Sequence, residues 1–211
     1  MNIVSYLADV YGYDTPIFLK DVRIGRKSKT AIKEAFYRAV RNGQLERKNN
    51  GIYFLRSQKE FGSGITFKEV LEKKFIYGDN AYPGLEQLYV EGYYSGLTFL
   101  NMIGISEQVP AVPEVTTNKT SSKKRYFGYG EMFAIIRKAK TEITMQNWKM
   151  LQFLDMFSFI SLEEVKKNKE LIRNHIKTKK LSKYQFSQCG KYYGPQTFKK
   201  LVEGGIIDAF I

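Results

Sequence analysis

An α+β fold is predicted for this 211-residue chain: an N-terminal winged helix-turn-helix, then a mixed helix and antiparallel-sheet domain with a helical C-terminal tail. Three patterns carry the prediction. An amphipathic stretch over about 28–42 runs directly into two short strand segments around Asn49-Asn50-Gly51. Segments between 112 and 137 are rich in β-branched and aromatic residues, and beyond 161 capping signals recur ahead of helical spacing. The length suits two small domains, expected at 1–58 and 62–211, the second made of an α+β core over 62–160 and a basic helical tail over 161–211.

The first helix is expected over 3–11, where Ile3, Leu7, Val10 and Tyr11 form one stripe and Gly12-Tyr13-Asp14 stops it. Thr15 before Pro16 reads as the start of a short second helix with Phe18, Leu19 and Val22 inward. After a basic connection, Arg23 to Lys27, the third helix spans about Ser28 to Asn42. Ile32, Ala35, Phe36, Ala39 and Val40 repeat at helical spacing there, and Gly43 stands at C′. Gln44 to Lys48 and Ile52 to Leu55 then flank an Asn-Gly type turn, which predicts a β-hairpin. Three helices and a hairpin make a winged helix, whose third helix enters a major groove while the hairpin follows the backbone or the minor groove.

That geometry nominates residues. Lys29, Thr30, Lys33 and Tyr37 share the polar face of the third helix and are assigned to base edges. Arg26, Lys27, Arg41, Arg47 and Lys48 are assigned to phosphates. Two other readings stay open, a protein-interaction module of the same fold and a merely solvated helix face.

Charge favours a polyanionic partner. The chain carries 34 Lys and Arg against 21 Asp and Glu, a net +13, distributed as +6 over 1–58, +1 over 59–160 and +6 over 161–211. Hydrophobic residues at 43% and aromatics at 15% exclude disorder for most of the chain. Apolar runs are short and the N-terminus has no basic stretch, so neither a membrane span nor a signal peptide is expected and the chain reads as cytoplasmic. One cysteine, Cys189, excludes an internal disulfide, and with one histidine, His175, it cannot build a Cys/His zinc site. Nothing around either resembles a nucleophile motif, and phosphate-loop patterns are missing, with Gly128-Tyr129-Gly130 reading as a hairpin turn. No metal, cofactor or catalytic activity is expected.

In the second lobe, Phe67, Val70, Leu71 and Phe75 give a short helix after a linker near 58–64, and Asp79-Asn80 with Pro83-Gly84 marks a loop. A helix from Tyr94 to Ile103, stopped by Gly104, has Leu97, Leu100 and Ile103 inward. Val112–Asn118, Arg125–Tyr129 and Met132–Arg137 make an antiparallel sheet, and a helix capped near Thr144 carries Trp148, Leu151, Leu154 and Phe157. In the tail, Ser161-Leu162-Glu163-Glu164 is a capping box for a helix with Val165, Ile172 and Ile176 on one side. Helices follow at about 182–188 and 195–203, the latter burying Phe198, Leu201 and Val202. Lys177, Lys179, Lys180 and Lys183 cluster densely, either to meet phosphates or an acidic or RNA partner, or as the wet side of a helical cap.

Several of these segments belong together. The run from Lys33 to Arg47 (KEAFYRAVRNGQLER) leads into Gly51-Ile52-Tyr53-Phe54, and at a set distance come Gly92 to Asn101 (GYYSGLTFLN), Gln108-Val109-Pro110 and Thr116-Thr117-Asn118-Lys119. Over roughly 2–160 the chain resembles the AbiEi antitoxins of type IV toxin–antitoxin systems, associated with abortive infection, a form of phage defence. The resemblance implies a transcriptional repressor whose winged helix binds promoter repeats of its own operon. It also implies a second domain that counteracts a nucleotidyltransferase toxin without a stable complex. Such a protein would be a monomer in solution that binds DNA cooperatively, with no membrane partner. By the same resemblance Lys119, Lys123, Lys124 and Arg125 stand where a basic face helps neighbouring copies act together on DNA. A solvated hairpin tip is the open alternative.

Two competitors remain. A nuclease would need paired acids and a lysine around a metal, yet Thr116 stands where an E-x-K pattern at Glu114 wants lysine, and Asp79 has no evident partner. A plain regulator with a ligand-sensing second domain would use Tyr89, Tyr93, Tyr94 and Phe99 as a pocket rather than a core.

Overall fold

The computed structural model describes residues 2–57, 64–77 and 89–210. Its architecture is α+β, with a helical C-terminal region. The chain divides into two compact units, Met1–Tyr89 with Tyr129–Glu131 and Val90–Gly128 with Met132–Ile211. The first unit thus runs past residue 58 and includes a helix that composition alone had placed after the linker.

In the first unit α1 (Ile3–Tyr11) starts where the Asn2 side chain accepts from the Val4 amide at 3.0 Å, and Gly12, at φ 74°, ends it. The short second helix expected from Thr15-Pro16 does not form. Ile17–Phe18 is instead a strand, β1, paired antiparallel with Tyr53 and Ile52. Proline holds the residue before it extended, and two adjacent apolar side chains that both become buried gain more from a sheet than from one helical turn. The chain from Leu19 to Lys27 closes by turns, with the Leu19 amide on the Gly51 carbonyl and the Arg23 guanidinium on the Lys20 and Val22 carbonyls. The helix-turn-helix pair expected before residue 42 is therefore one helix preceded by strand and turns.

That helix, α2 (Lys29–Arg41), is capped by Ser28, whose hydroxyl accepts from the Ala31 amide, and Gly43 takes a left-handed φ of 68° just past its end. Ile32, Phe36 and Ala39 are buried, and the Phe36 ring meets Tyr53 edge-on at 4.9 Å. β2 (Glu46–Asn49) and β3 (Ile52–Phe54) complete a sheet in the order β1-β3-β2. Register slips between Arg47 and Asn49, so Lys48 is the extra residue of a bulge. Asp14, at a φ of 51°, accepts from the Ser57 and Gly64 amides and fastens the end of the hairpin. α3 (Phe67–Phe75), opened by a Thr66/Glu69 capping box, lays Lys73 over the Tyr11 ring and Lys74 over Phe18. The loop expected around Asp79-Asn80 and Pro83-Gly84 lies outside the described residues.

The second unit has a four-stranded sheet: β4 (Gly92–Tyr94), β5 (Glu114–Thr117), β6 (Lys124–Tyr129) and β7 (Met132–Lys138), in the order β4-β5-β7-β6. Its strands were expected to be all antiparallel, but β5 and β7 run parallel. The chain passes from β5 to the outer edge, forms β6, and returns as β7 between the two. The helix expected over 94–103 is shorter, α4 (Gly96–Met102), because β4 takes Tyr94 into pairing with Val115. Phe99 and Leu100 turn inward while Leu97 is exposed.

α5 (Trp148–Met156) is buried from Met150 to Met156 and forms the axis of a helical cluster. Around it lie α6 (Leu162–Lys167), α7 (Lys169–Lys179), α8 (Lys183–Gly190) and α9 (Pro195–Glu203). The Ser161 capping box is present, and Asn168 breaks what spacing had drawn as one helix into α6 and α7. Val202, expected inward, is exposed, and Thr197 on the opposite side is buried.

Candidate nucleic-acid interface

α2 presents its open face because its other face is committed. With Ile32, Phe36 and Ala39 fixed in the core, 3.6-residue periodicity turns Lys29, Thr30, Lys33 and Tyr37 to solvent, and all four are exposed, Tyr37 by 70%. Lys33 stands between two open depressions. One, of about 520 Å3, is bordered by Thr30, Glu34, Tyr37 and Arg38. The other, of about 320 Å3, is bordered by Lys20, Lys29, Leu19 and Gly51, so it joins the helix to the hairpin turn.

The remaining cations fall into separate places. Arg26 and Lys27 are exposed in the turn leading into α2, and Arg47 and Lys48 are exposed on β2, with the Arg47 guanidinium donating to Asn50 Oδ1 at the hairpin tip. The bulge at Lys48 turns that side chain out of strand alternation. Arg41 is exposed but lies at the far end of α2, about 18 Å along the axis from Lys29 at 1.5 Å per residue. Two contributors escaped the sequence reading. Arg38 borders the larger depression and was legible as one turn beyond Glu34. Lys20, paired with Asp21 at 3.3 Å, enters the smaller one through the β1 turn, which no periodicity reveals.

Neutralising groups are sparse on this face. Glu34 borders the larger depression, and Asp21 pairs with the Lys20 that borders the smaller one. Glu46 is turned to Arg56, whose guanidinium bonds hold its carboxyl below the usual range.

In the second unit the expected basic group divides. Lys119 is mostly buried and pairs with Glu91 at 3.2 Å, and Arg125 donates to the Thr120 hydroxyl at 3.1 Å. Lys123 and Lys124 are exposed. In the tail Lys177, Lys179, Lys180 and Lys183 are exposed around the turn between α7 and α8, where Lys180 adopts a left-handed φ of 54°.

Comparison with protein-family models, with curated proteins and with solved structures finds no match.

Several ionisable groups of the second unit are paired or packed in its core. Glu114 accepts from Arg137 Nε and Nη2, both at 2.7 Å, and Arg137 lies 5.2 Å from the Phe159 ring centre. Asp155 accepts from the Tyr93 hydroxyl at 2.6 Å and faces Lys140 at 3.4 Å, while burial beside that carboxylate raises the Tyr193 hydroxyl far above its ordinary value. Tyr93 and Phe99 are core residues, whereas Tyr89 is half exposed. Burial raises the Cys189 thiol, and His175 packs between Phe99 and Phe153, where burial, aided by Lys179, lowers it to about 4. Among the described residues no three His, Cys, Asp or Glu side chains gather as metal ligands. No helix among them is long and apolar enough to cross a membrane.

Proposed function

We propose that this chain binds duplex DNA through α2 and the β2–β3 hairpin, and that it acts as a repressor and antitoxin of the AbiEi kind. The observation that carries the DNA reading is the single open face of α2, on which Lys29, Thr30, Lys33 and Tyr37 are all exposed beside a hairpin that exposes Arg47 and Lys48. A strand and two turns replace the helix that usually crosses the backbone, and Arg26 and Lys27 in those turns supply its phosphate contacts. The antitoxin role rests on the sequence resemblance, and its partner is a nucleotidyltransferase toxin met by functional antagonism.

Electrophoretic shifts against the upstream promoter region at several salt concentrations test the first half. Lys29→Ala or Lys33→Ala is expected to cost about 1–3 kcal/mol for the cognate repeat where the side chain reads a base, and less where it touches phosphate. Wild-type affinity in the double variant removes the assignment. Co-expression with the toxin encoded beside it tests the second half: full-length protein restores growth, and Lys29→Ala/Lys33→Ala restores it equally if antagonism belongs to the second unit.

A further inference from the structure

The sheet of the second unit is covered on one face at one end and open at the other. At the open end of the β6–β7 hairpin the Lys138 amide donates to the Lys123 carbonyl at 3.3 Å. Near the turn Gly128 lies beside Phe133, whose Cε1 would be 3.5 Å from a Cβ at position 128. Alternation between these points puts Lys124, Tyr126 and Gly128 of β6 on the same face as Phe133, Ile135 and Arg137 of β7. That face continues through Glu114 and Thr116 of β5, which stand beside Ile135 and Arg137, to Tyr93 of β4. At the β4 end Tyr93 is buried against α5 through its bond to Asp155. At the β6 end Tyr126 is 63% exposed and Phe133 51%.

We propose that Tyr126 and Phe133 form a stacking platform for single-stranded nucleic acid, with Lys124 as its phosphate contact. The rings are diagonal neighbours on paired strands, about 7–8 Å apart at their backbones, so each offers its own face to one base. Gly128 lies against the Phe133 ring, since a Cβ there would meet its Cε1 and Cδ1 at 3.5 and 3.6 Å. The Lys124 ammonium lies 5.5 Å from the Tyr126 ring centre, which places a cation where the backbone of a stacked nucleotide runs. The acid on this face, Glu114, is already neutralised by Arg137. An apolar partner would gain nothing from the lysine beside the rings, whereas a polyanion with flat bases uses both features. Duplex DNA keeps its bases stacked inside and has no use for exposed rings, so this surface is independent of the α2 face.

The test is fluorescence anisotropy of the full chain with labelled oligo-dT and oligo-U of about twelve nucleotides, which spans the usual site for such a platform. Binding is expected to weaken roughly tenfold for each ring removed, in Tyr126→Ala and in Phe133→Ala. Tyr126→Phe, which keeps a ring, is expected to bind as the parent does, and so is Lys29→Ala/Lys33→Ala, which separates this surface from the duplex site. A preference for one oligomer names RNA or DNA as the natural strand. Absence of binding by the parent chain, or parental binding by Tyr126→Ala/Phe133→Ala, overturns the proposal. So does a dimer that the alanine variants dissociate in sedimentation without any oligomer bound, since the face is then a contact between copies.

Discussion

His175 gives the chain a pH sensitivity that begins above the range of its carboxylates. Its imidazole is held neutral between Phe99 and Phe153, with a folded value near 4 against about 6.5 in an unfolded chain. The unfolded state therefore binds the proton first, and stability that is complete above pH 6.5 is lost as pH falls toward 4. Discounted for the water the ring still meets, the expected loss between pH 7 and pH 5 is roughly 1 kcal/mol. Urea denaturation at those two pH values measures it, and His175→Phe, which keeps an aromatic ring there, is expected to flatten the difference. Glu46 and Glu164, held low by Arg56 and by the Ser161 cap, act in a lower window, contributing above about pH 4.5 and failing below it. Gly96 is the other sensitive residue. It has a φ of 58°, and a Cβ on it would stand 2.7 Å from the Glu114 carboxyl carbon. Gly96→Ala therefore strains the backbone and pushes a half-buried ion pair apart together, with an expected cost of about 2 kcal/mol or more in thermal unfolding.

At the scale of elements, the hairpin bulge bears most directly on the proposed DNA binding. Because Lys48 is the extra residue, it and Arg47 both face outward instead of alternating. If each meets a phosphate, Arg47→Ala/Lys48→Ala lowers the slope of log affinity against log salt by about 2, while selectivity among repeats is unchanged. Titrations at four salt concentrations read this directly. The same elements show what a sequence discloses. α2 was legible to within a residue at its start and end because core spacing, the Ser28 cap and the Gly43 terminus agree with one another. The segment 15–22 was misread because a Thr-Pro start signal is local, whereas the partner that makes Ile17–Phe18 a strand lies 35 residues away at Ile52–Tyr53. Parallel pairing of β5 with β7 was hidden for the same reason, since adjacency across an intervening strand leaves no mark in either strand. Among the candidate site residues, the exposure of those on α2 followed from its period. Lys119 and Arg125 did not, because the Glu91 and Thr120 that engage them are chosen by the fold of the loop.

At the scale of the molecule, positive charge lies at both ends of the chain while the middle is nearly balanced. The proposed duplex face lies in the first portion, and the hairpin rings of the second unit lie in the balanced portion, where contact area rather than net field would supply the proposed affinity. Duplex binding is accordingly expected to fall steeply with salt, and single-strand binding, carried by stacking, more gently. The strand order adds a temporal consequence. During synthesis β5 leaves the ribosome after β4 and can zip onto it at once, yet its other flank has no mate until β6 has been made, passed over and followed by β7. A nascent edge thus waits, unsheltered, until β7 arrives beside it.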